Sequence, residues 1–326
     1  MNQDEEFSIM AIWAADIGGT SIKLAIVDRG RILRSREIAA LPADGLRGAM
    51  NRIAPIWQDL CRELAISDSR ITAIGIALPA IVATDSGKIW TVPGGKFADA
   101  PNFNLTGWIE RKFRKPAYWC NDAHAALAGE IKYGAARGYT NVAMITLGTG
   151  VGTAVVVNGK HFTGPHGLAG NAGGHITIQA NGERCGCGNI GCVETLASSW
   201  VLPALAAASP LFATSALAKE PVINYEAVFR QAKKEDVLAK ELRENALNAW
   251  SITAVTLIHS YDPDLLLIGG KIAKSYAVIR PFMKKFIRAH CWATWEVPIQ
   301  PSALRNHAGV KGIAYLATKY AKRSRS

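Results

Sequence analysis

Asp16-Ile-Gly-Gly-Thr-Ser-Ile-Lys23 follows an apolar run at 8–15 and leads into Leu24-Ala-Ile-Val-Asp28. It reads as a strand leaving through a tight glycine turn and returning as a second strand at 23–28, with a turn at Arg29-Gly30 and a third strand at 32–39. Thr146-Leu-Gly-Thr-Gly-Val-Gly152 repeats the pattern 146 − 16 = 130 residues later, and the same shift lays Ala154-Val-Val-Val-Asn158 on Leu24–Asp28. A strand at 142–146 precedes this second loop, and strands at 154–157 and 160–163 follow it around Asn158-Gly159. An internal repeat decides architecture before local motifs do. Chance glycine hairpins are the alternative, and the matched strand–loop–strand order argues against them.

Outward from the loops, Met50, Ile53, Ile56, Trp57, Leu60 and Leu64 recur at helical spacing over 46–64. An unbroken apolar strand spans 71–78, and another at 118–120 ends at Asn121. Helices are expected at 195–206, 225–232, 237–260, 277–290 and 310–322, with a strand at 265–268. Strands mixed with helices in two similar halves indicate an α/β class. The halves divide into 1–121 and 122–308, with the last helix, within 309–326, packing back on the first. No linker rich in Pro, Gly or Ser separates them, so they should abut and share a cleft.

With 326 residues, 49% of them hydrophobic, the chain can fill its cores, which excludes disorder as its main state. The net charge of +11 sits wholly after residue 270, where 12 bases face Glu296 alone, 12 − 1 = +11. Lys284, Lys285 and Arg288 read as a solvated helix face and 319–325 as a frayed tail, with polyanion contact as the alternative. The acidic start Met-Asn-Gln-Asp-Glu-Glu is unlike an export signal. The longest apolar run, 71–83, is too short for a bilayer and contains Pro79. A cytoplasmic protein with reduced thiols is expected, with neither membrane nor nucleic acid as partner.

Gly18, Gly19, Thr20 and Lys23 in the first loop, and Gly148, Thr149, Gly150 and Gly152 in the second, let backbone N–H groups approach an anion closely. Neither loop is a Walker loop, since the Gly-Lys-Ser/Thr ending is absent, and neither is a dinucleotide fingerprint, since each opens a hairpin. Two copies suggest a polyphosphate gripped from both sides. Asp16 beside phosphate then calls for Mg²⁺, bound directly or through water; capping its own turn is the alternative. Asn121 suits the N-cap of a small-residue helix, with Asp122 in its first turn, where the helix dipole keeps a carboxylate ionised. Asp122 as a base and Asp122 as a mere cap are equally consistent with the residues alone. His175, Cys185, Cys187 and Cys192 offer a closed tetrahedral set for structural zinc, a redox dithiol being the alternative. Asp262-Pro-Asp-Leu-Leu-Leu-Ile-Gly-Gly270 reads as a buried strand closing in paired glycines.

The two glycine loops and Cys185-Gly-Cys-Gly-Asn-Ile-Gly-Cys-Val-Glu194 together resemble the ROK family (repressors, open reading frames and sugar kinases) along nearly the whole chain. The resemblance implies an actin-like (ribonuclease H-like) duplicated two-lobe fold and ATP-dependent phosphorylation of a hexose at its 6-hydroxyl. It also implies Asp122 as general base, a structural Zn²⁺, and a homodimer as one assembly. Gly269 and Gly270 would line the adenosine pocket; Asn121, His175, Glu194, Gly94 and Asn171 would face the sugar. Where the family reads Ala-Gly-Glu-x-Gly-His, this chain reads Leu168-Ala-Gly-Asn-Ala-Gly-Gly-His175. Asn171 or Ala172 thus replaces the glutamate, and its charge is lost. Ala80 replaces a glycine, and Val92-Pro-Gly-Gly-Lys96 lacks an asparagine. All three departures touch the sugar pocket, leaving phosphoryl transfer intact and the sugar open; Leu78-Pro-Ala-Ile-Val82 and Thr163-Gly-Pro-His-Gly167 lean towards allose kinases. Two other readings remain. One is a non-catalytic sugar-responsive regulator, although only 15 residues precede Asp16, short of the family repressors' DNA-binding segment. The other is a kinase with polyphosphate as donor.

Overall fold

Alternation along the first strand sets the layering of everything packed around it. The computed structural model describes residues 10–83, 86–292 and 295–323. In it, β1 (Ala11–Ile17) sends Ala11, Trp13, Ala15 and Ile17 into one core and Ile12 and Ala14 into another. The acidic start, the first positions of the expected strand at 8–15 and the end of the basic tail lie outside the described residues. The chain forms two units, one from 1–137, 163–168 and 307–326, the other from 138–162 and 169–306.

In the first unit β1 is followed by β2 (Ser21–Asp28), β3 (Arg31–Ala39), helix α1 (Gly45–Glu63), β4 (Ile71–Leu78) and a hairpin, β5 (Ile81–Val82) with β6 (Ile89–Thr91). Then come α2 (Leu105–Phe113), β7 (Ala117–Asn121), α3 (Asp122–Tyr133) and the final helix of the chain, α9 (Ala308–Arg323). The sheet order is β3-β2-β1-β4-β7, with β1, β4 and β7 parallel. On one face α1 and α2 cover Trp13, which stacks on Trp57 at 5.5 Å while Phe113 meets it edge-on at 5.0 Å. The other face carries Ala14, Ala25, Ala73 and Ala77, small enough for α9 to lie close. α3 and α9 cross backbone to backbone: a Cβ on Gly312 would overlap the Ala125 carbonyl, and one on Gly129 the Ala308 carbonyl. The returning segment 163–168 joins this unit, Gly167 resting on the Val82 carbonyl and His166 meeting Trp90 edge-on at 5.7 Å.

The second unit repeats the scheme. Its strands are β8 (Val142–Leu147), β9 (Val151–Val157), β10 (Lys160–His161), β11 (Leu265–Gly269) and β12 (Ile299–Pro301), ordered β10-β9-β8-β11-β12. Again a pair of antiparallel hairpins precedes two parallel neighbours. Between the strands run α4 (Val193–Ala197), α5 (Leu202–Ala207), α6 (Tyr225–Ala232), α7 (Val237–Tyr261) and α8 (Tyr276–His290). The single helix expected at 195–206 is two: Ser198 turns extended (φ −94°, ψ 157°), and the N–H groups of Ser199 and Trp200 go to the carbonyls of Gly148 and Thr149 instead of continuing a helix. The short β5–β6 hairpin, α2 and β12 carry too little periodicity to stand out in sequence. On α8, Lys284 and Arg288 both pair with Glu296, which holds its carboxyl down to about 2, while Lys285 is exposed. Among the described residues no helix is long and apolar enough to cross a membrane.

The helix crossing yields a direct test. Gly312→Val should destabilise the protein by at least about 1–3 kcal/mol through overpacking, seen as a lowered thermal midpoint; an unchanged midpoint would mean that α3 and α9 do not touch there.

Candidate functional site

Asp16, Ala77 and Cys120 stand side by side across β1, β4 and β7, on the face that α3 and α9 cover. Two strand spacings put the ends of β1 and β7 about 10 Å apart. One residue beyond Cys120, Asn121 ends β7 and caps α3, its side-chain oxygen accepting from the N–H groups of Ala123 (2.9 Å) and His124 (3.3 Å). Its amide nitrogen donates to the Ala80 carbonyl at 3.2 Å, tying the cap to the segment after β4. Asp122 is the first residue of α3, half-buried, with Oδ1 2.9 Å from the Ala123 nitrogen. Burial pushes the Cys120 thiol up, and the charges of Asp122 and Asp16 push it further, so one thiol senses both carboxylates.

Asp16 is half-buried, and its carboxylate lies against the first turn of α9, where a Cβ on Gly309 would collide with it. Desolvation raises its pKa; Lys23, directly opposite on β2, opposes this, and Glu37 beyond Lys23 adds to it. A carboxylate held against its charge in this way gains from a cation. One carboxylate completed by substrate phosphates is the usual setting of Mg²⁺, so the donor fits. Lys23 therefore faces Asp16 along the hairpin. The cation over the loop is Lys96, whose Nζ would lie 2.7 Å from a Cβ on Gly19. Sequence reasoning missed it: a lysine after two glycines in a loop carries no motif. The loop closes by a bond from the Gly18 N–H to the Ser21 carbonyl (2.9 Å), leaving the N–H groups of Gly19 and Thr20 without an acceptor among the described residues. Gly94 is exposed and left-handed (φ +71°), with open space where a side chain would project.

In the second unit the Gly148 N–H closes the loop on the Gly150 carbonyl at 3.0 Å, and the N–H groups of Thr149 and Gly150 are again open among the described residues. Gly152 is already inside β9, paired with Thr146. Glu194, at the start of α4, accepts from the Val151 N–H through Oε1 (2.9 Å) and abuts Gly150, so this carboxylate braces the loop. Gly269 pairs with Thr146, and Gly270 (φ +84°) presses on the Leu147 carbonyl, which puts the paired glycines at the foot of the same loop. Asn171 is half-buried, three residues after the segment that joins the first unit.

His175, Cys185, Cys187 and Cys192 gather their donor atoms within 4.8 Å of one another. Nδ1 of His175 is 3.6 Å from the Cys185 sulfur, and the Cys187 and Cys192 sulfurs are 3.8 Å apart. A tetrahedron with Zn–S of about 2.3 Å and Zn–N of about 2.05 Å separates sulfurs by about 3.8 Å and nitrogen from sulfur by about 3.6 Å. The donor set therefore fits zinc. Gly191 (φ +63°), packed on the Gln179 carbonyl, folds the loop back, and Asn189 bonds the His175 carbonyl and the Thr177 hydroxyl at 3.0 Å each. Desolvation, reinforced by the neighbouring Cys185 and Cys187, pushes the Cys192 thiol up to about 12, and desolvation raises Cys185 as well.

A family model described as "ROK family" matches residues 12–320. A glucokinase of Halalkalibacterium halodurans is 30% identical over 310 residues, covering 92% of this chain and 93% of that one. An N-acetylmannosamine kinase of Haemophilus influenzae is 29% identical over 309 residues, covering 94% and 95%. Among solved structures, a ROK family glucokinase from Streptomyces griseus, in complex with glucose and AMPPNP, is similar with a TM-score of 0.80 at 26% identity, covering 95% of this chain and 99% of that one.

The raised thiols set a test of the cluster. Zinc must displace their protons, so uptake should release protons, and apparent affinity in chelator competition should fall as pH is lowered below neutrality. Cys187→Ser should lose most of the binding; pH-independent affinity, or full affinity in that variant, would contradict the assignment.

Proposed function

The chain belongs to the ROK family, and from that membership we propose that it works as a sugar kinase, transferring the γ-phosphoryl group of MgATP to a hexose hydroxyl at the 6-position. Its two like-ordered sheets have the actin-like fold of that family. One observation carries the reading: Asp16, the open amides of Gly19 and Thr20, and Asp122 all stand at one end of the parallel strands of a single sheet.

In this reading Asp122 accepts the proton of the attacking hydroxyl. The sugar oxygen forms its bond to the γ-phosphorus as the bond to the ADP oxygen breaks, and the electron pair leaves with ADP. Positioning and charge stabilisation do most of the work in such transfers, so Asp122 orients the hydroxyl and takes its proton late. Asn121 holds Asp122 at the helix N-terminus, where the dipole favours its ionised form. In this reading the open N–H groups of each loop would serve as phosphate donors, and Gly269 and Gly270 would line the adenosine pocket. Mg²⁺ held by Asp16, directly or through water, would supply charge neutralisation between the phosphates. Zinc on His175, Cys185, Cys187 and Cys192 would brace the loop that presents the sugar ligands His175, Glu194 and Asn171, and Gly94 would be a further sugar contact.

The first test is ADP release with glucose, fructose, mannose, allose, N-acetylmannosamine, N-acetylglucosamine and simple glycosides. Saturable release with at least one is expected; binding of sugar with no ADP from any would favour a regulator, and faster turnover with polyphosphate would change the donor. Asp122→Asn should lower kcat by roughly 10²–10⁴-fold with sugar binding retained, and near-normal turnover would sink the assignment. Glu194→Gln separates two roles. Its amide oxygen can still accept from Val151, so a bracing residue tolerates it, whereas a charged sugar ligand loses affinity for sugar in calorimetric titration.

A further inference from the structure

Lys96 has no task in the mechanism above, yet its position is held firmly. It follows Gly94 and Gly95, both left-handed (φ +71° and +67°), and precedes Phe97, which is buried in the core with its N–H 3.3 Å from the Pro42 carbonyl. Asp99 then accepts from the N–H groups of Leu46 and Arg47 at the start of α1, the second at 3.0 Å. Pinned on that side, the loop lays the lysine stem along the first glycine turn: a Cβ on Gly19 would be 2.7 Å from Nζ, 3.4 Å from Cε and 3.5 Å from Cδ. Any residue but glycine at 19 would push the ammonium away.

The turn next to that ammonium offers donors. The N–H groups of Gly19 and Thr20 are open, and the Thr20 side chain is exposed beside them. Among the described residues Lys96 makes no ion pair and no hydrogen bond, and it is half-buried. The nearby carboxylate Asp16 takes its offsetting charge from Lys23 instead. A half-buried cation that has no ion pair or hydrogen bond among the described residues, and that lies beside open N–H groups, is completed by an anion. Three convergent donors with one positive charge suit a tetrahedral oxyanion, and the loop's place beside Asp122 makes that oxyanion the phosphoryl group nearest the sugar hydroxyl.

We propose that Lys96 is a phosphate ligand of the first glycine loop, holding the phosphoryl group as it passes from donor to sugar; the second half of this rests on the kinase reading. Lys96 gives up no proton and takes none. Its charge balances the equatorial oxygens of the group in transit, where preorganised donors count most.

The experiment uses the whole protein and reads two quantities. Calorimetric binding of magnesium tripolyphosphate should weaken roughly tenfold or more in Lys96→Met, recover largely in Lys96→Arg, and weaken likewise in Gly19→Ala. The double variant Lys96→Met with Gly19→Ala should lose little beyond either single change, since both remove one contact. Thermal midpoint and sugar affinity should stay at wild-type values. With the sugar that supports turnover, kcat of Lys96→Met should fall roughly 10²-fold. Equal tripolyphosphate affinity in wild type and Lys96→Met overturns the proposal, as does a kcat left unchanged. If wild type releases ADP with no sugar the kinase reading fails, and the tripolyphosphate comparison still decides whether Lys96 binds phosphate.

Discussion

A half-buried carboxylate pressed against the first turn of a helix is the constraint around which the first unit is arranged. Asp16 is next to last in a strand whose alternation aims it at α9, and only glycine at 309 leaves room for it. To lie that close α9 must sink onto the sheet, which requires alanines beneath it and backbone contact with α3 beside it. α3 in turn begins at Asp122. The carboxylates of Asp16 and Asp122 are therefore set by one packing solution. Shifting either helix would move both.

The second unit uses the same strand order for a different balance of charge. Where the first loop has an acid at the end of its strand and a lysine above its glycines, the second has Thr146 at the corresponding place and Glu194 drawn in from α4. Glu194 satisfies one loop amide and leaves the two before it open. The cysteine cluster lies immediately before α4, Cys192 being its N-cap, so whatever fixes the four donors also fixes Glu194. This couples the cysteine cluster to the second glycine loop through two residues of backbone.

Much of this was legible in the sequence because it rests on local chemistry. The hairpins around Gly18 and Gly148, the N-cap at Asn121 and the spacing of Cys185, Cys187 and Cys192 are each written in a few adjacent residues. What could not be read depended on distant partners. The helix expected over 195–206 breaks because carbonyls of Gly148 and Thr149 claim its amides, a competition that no local window contains. The β5–β6 hairpin and β12 are too short to show a period. Lys23 was the lysine that the first motif offered, but pairing across the hairpin turns it towards Asp16, while Lys96 arrives from a loop more than seventy residues on. The excess charge after residue 270 is partly answered by Glu296, a single acid serving two bases of α8.

The first unit is assembled from three separate stretches of chain, the last of them α9. A ribosome delivers that stretch only after the whole of the second unit. Until it emerges, the alanine face of the sheet is uncovered, α3 has no helix to cross, and Asp16 has no turn to rest against. The first glycine loop can form early as a hairpin, but the surroundings of Asp16 are completed only with α9. A chain that has not yet made α9 therefore leaves an apolar face of the first unit exposed after the whole of the second unit has been synthesised.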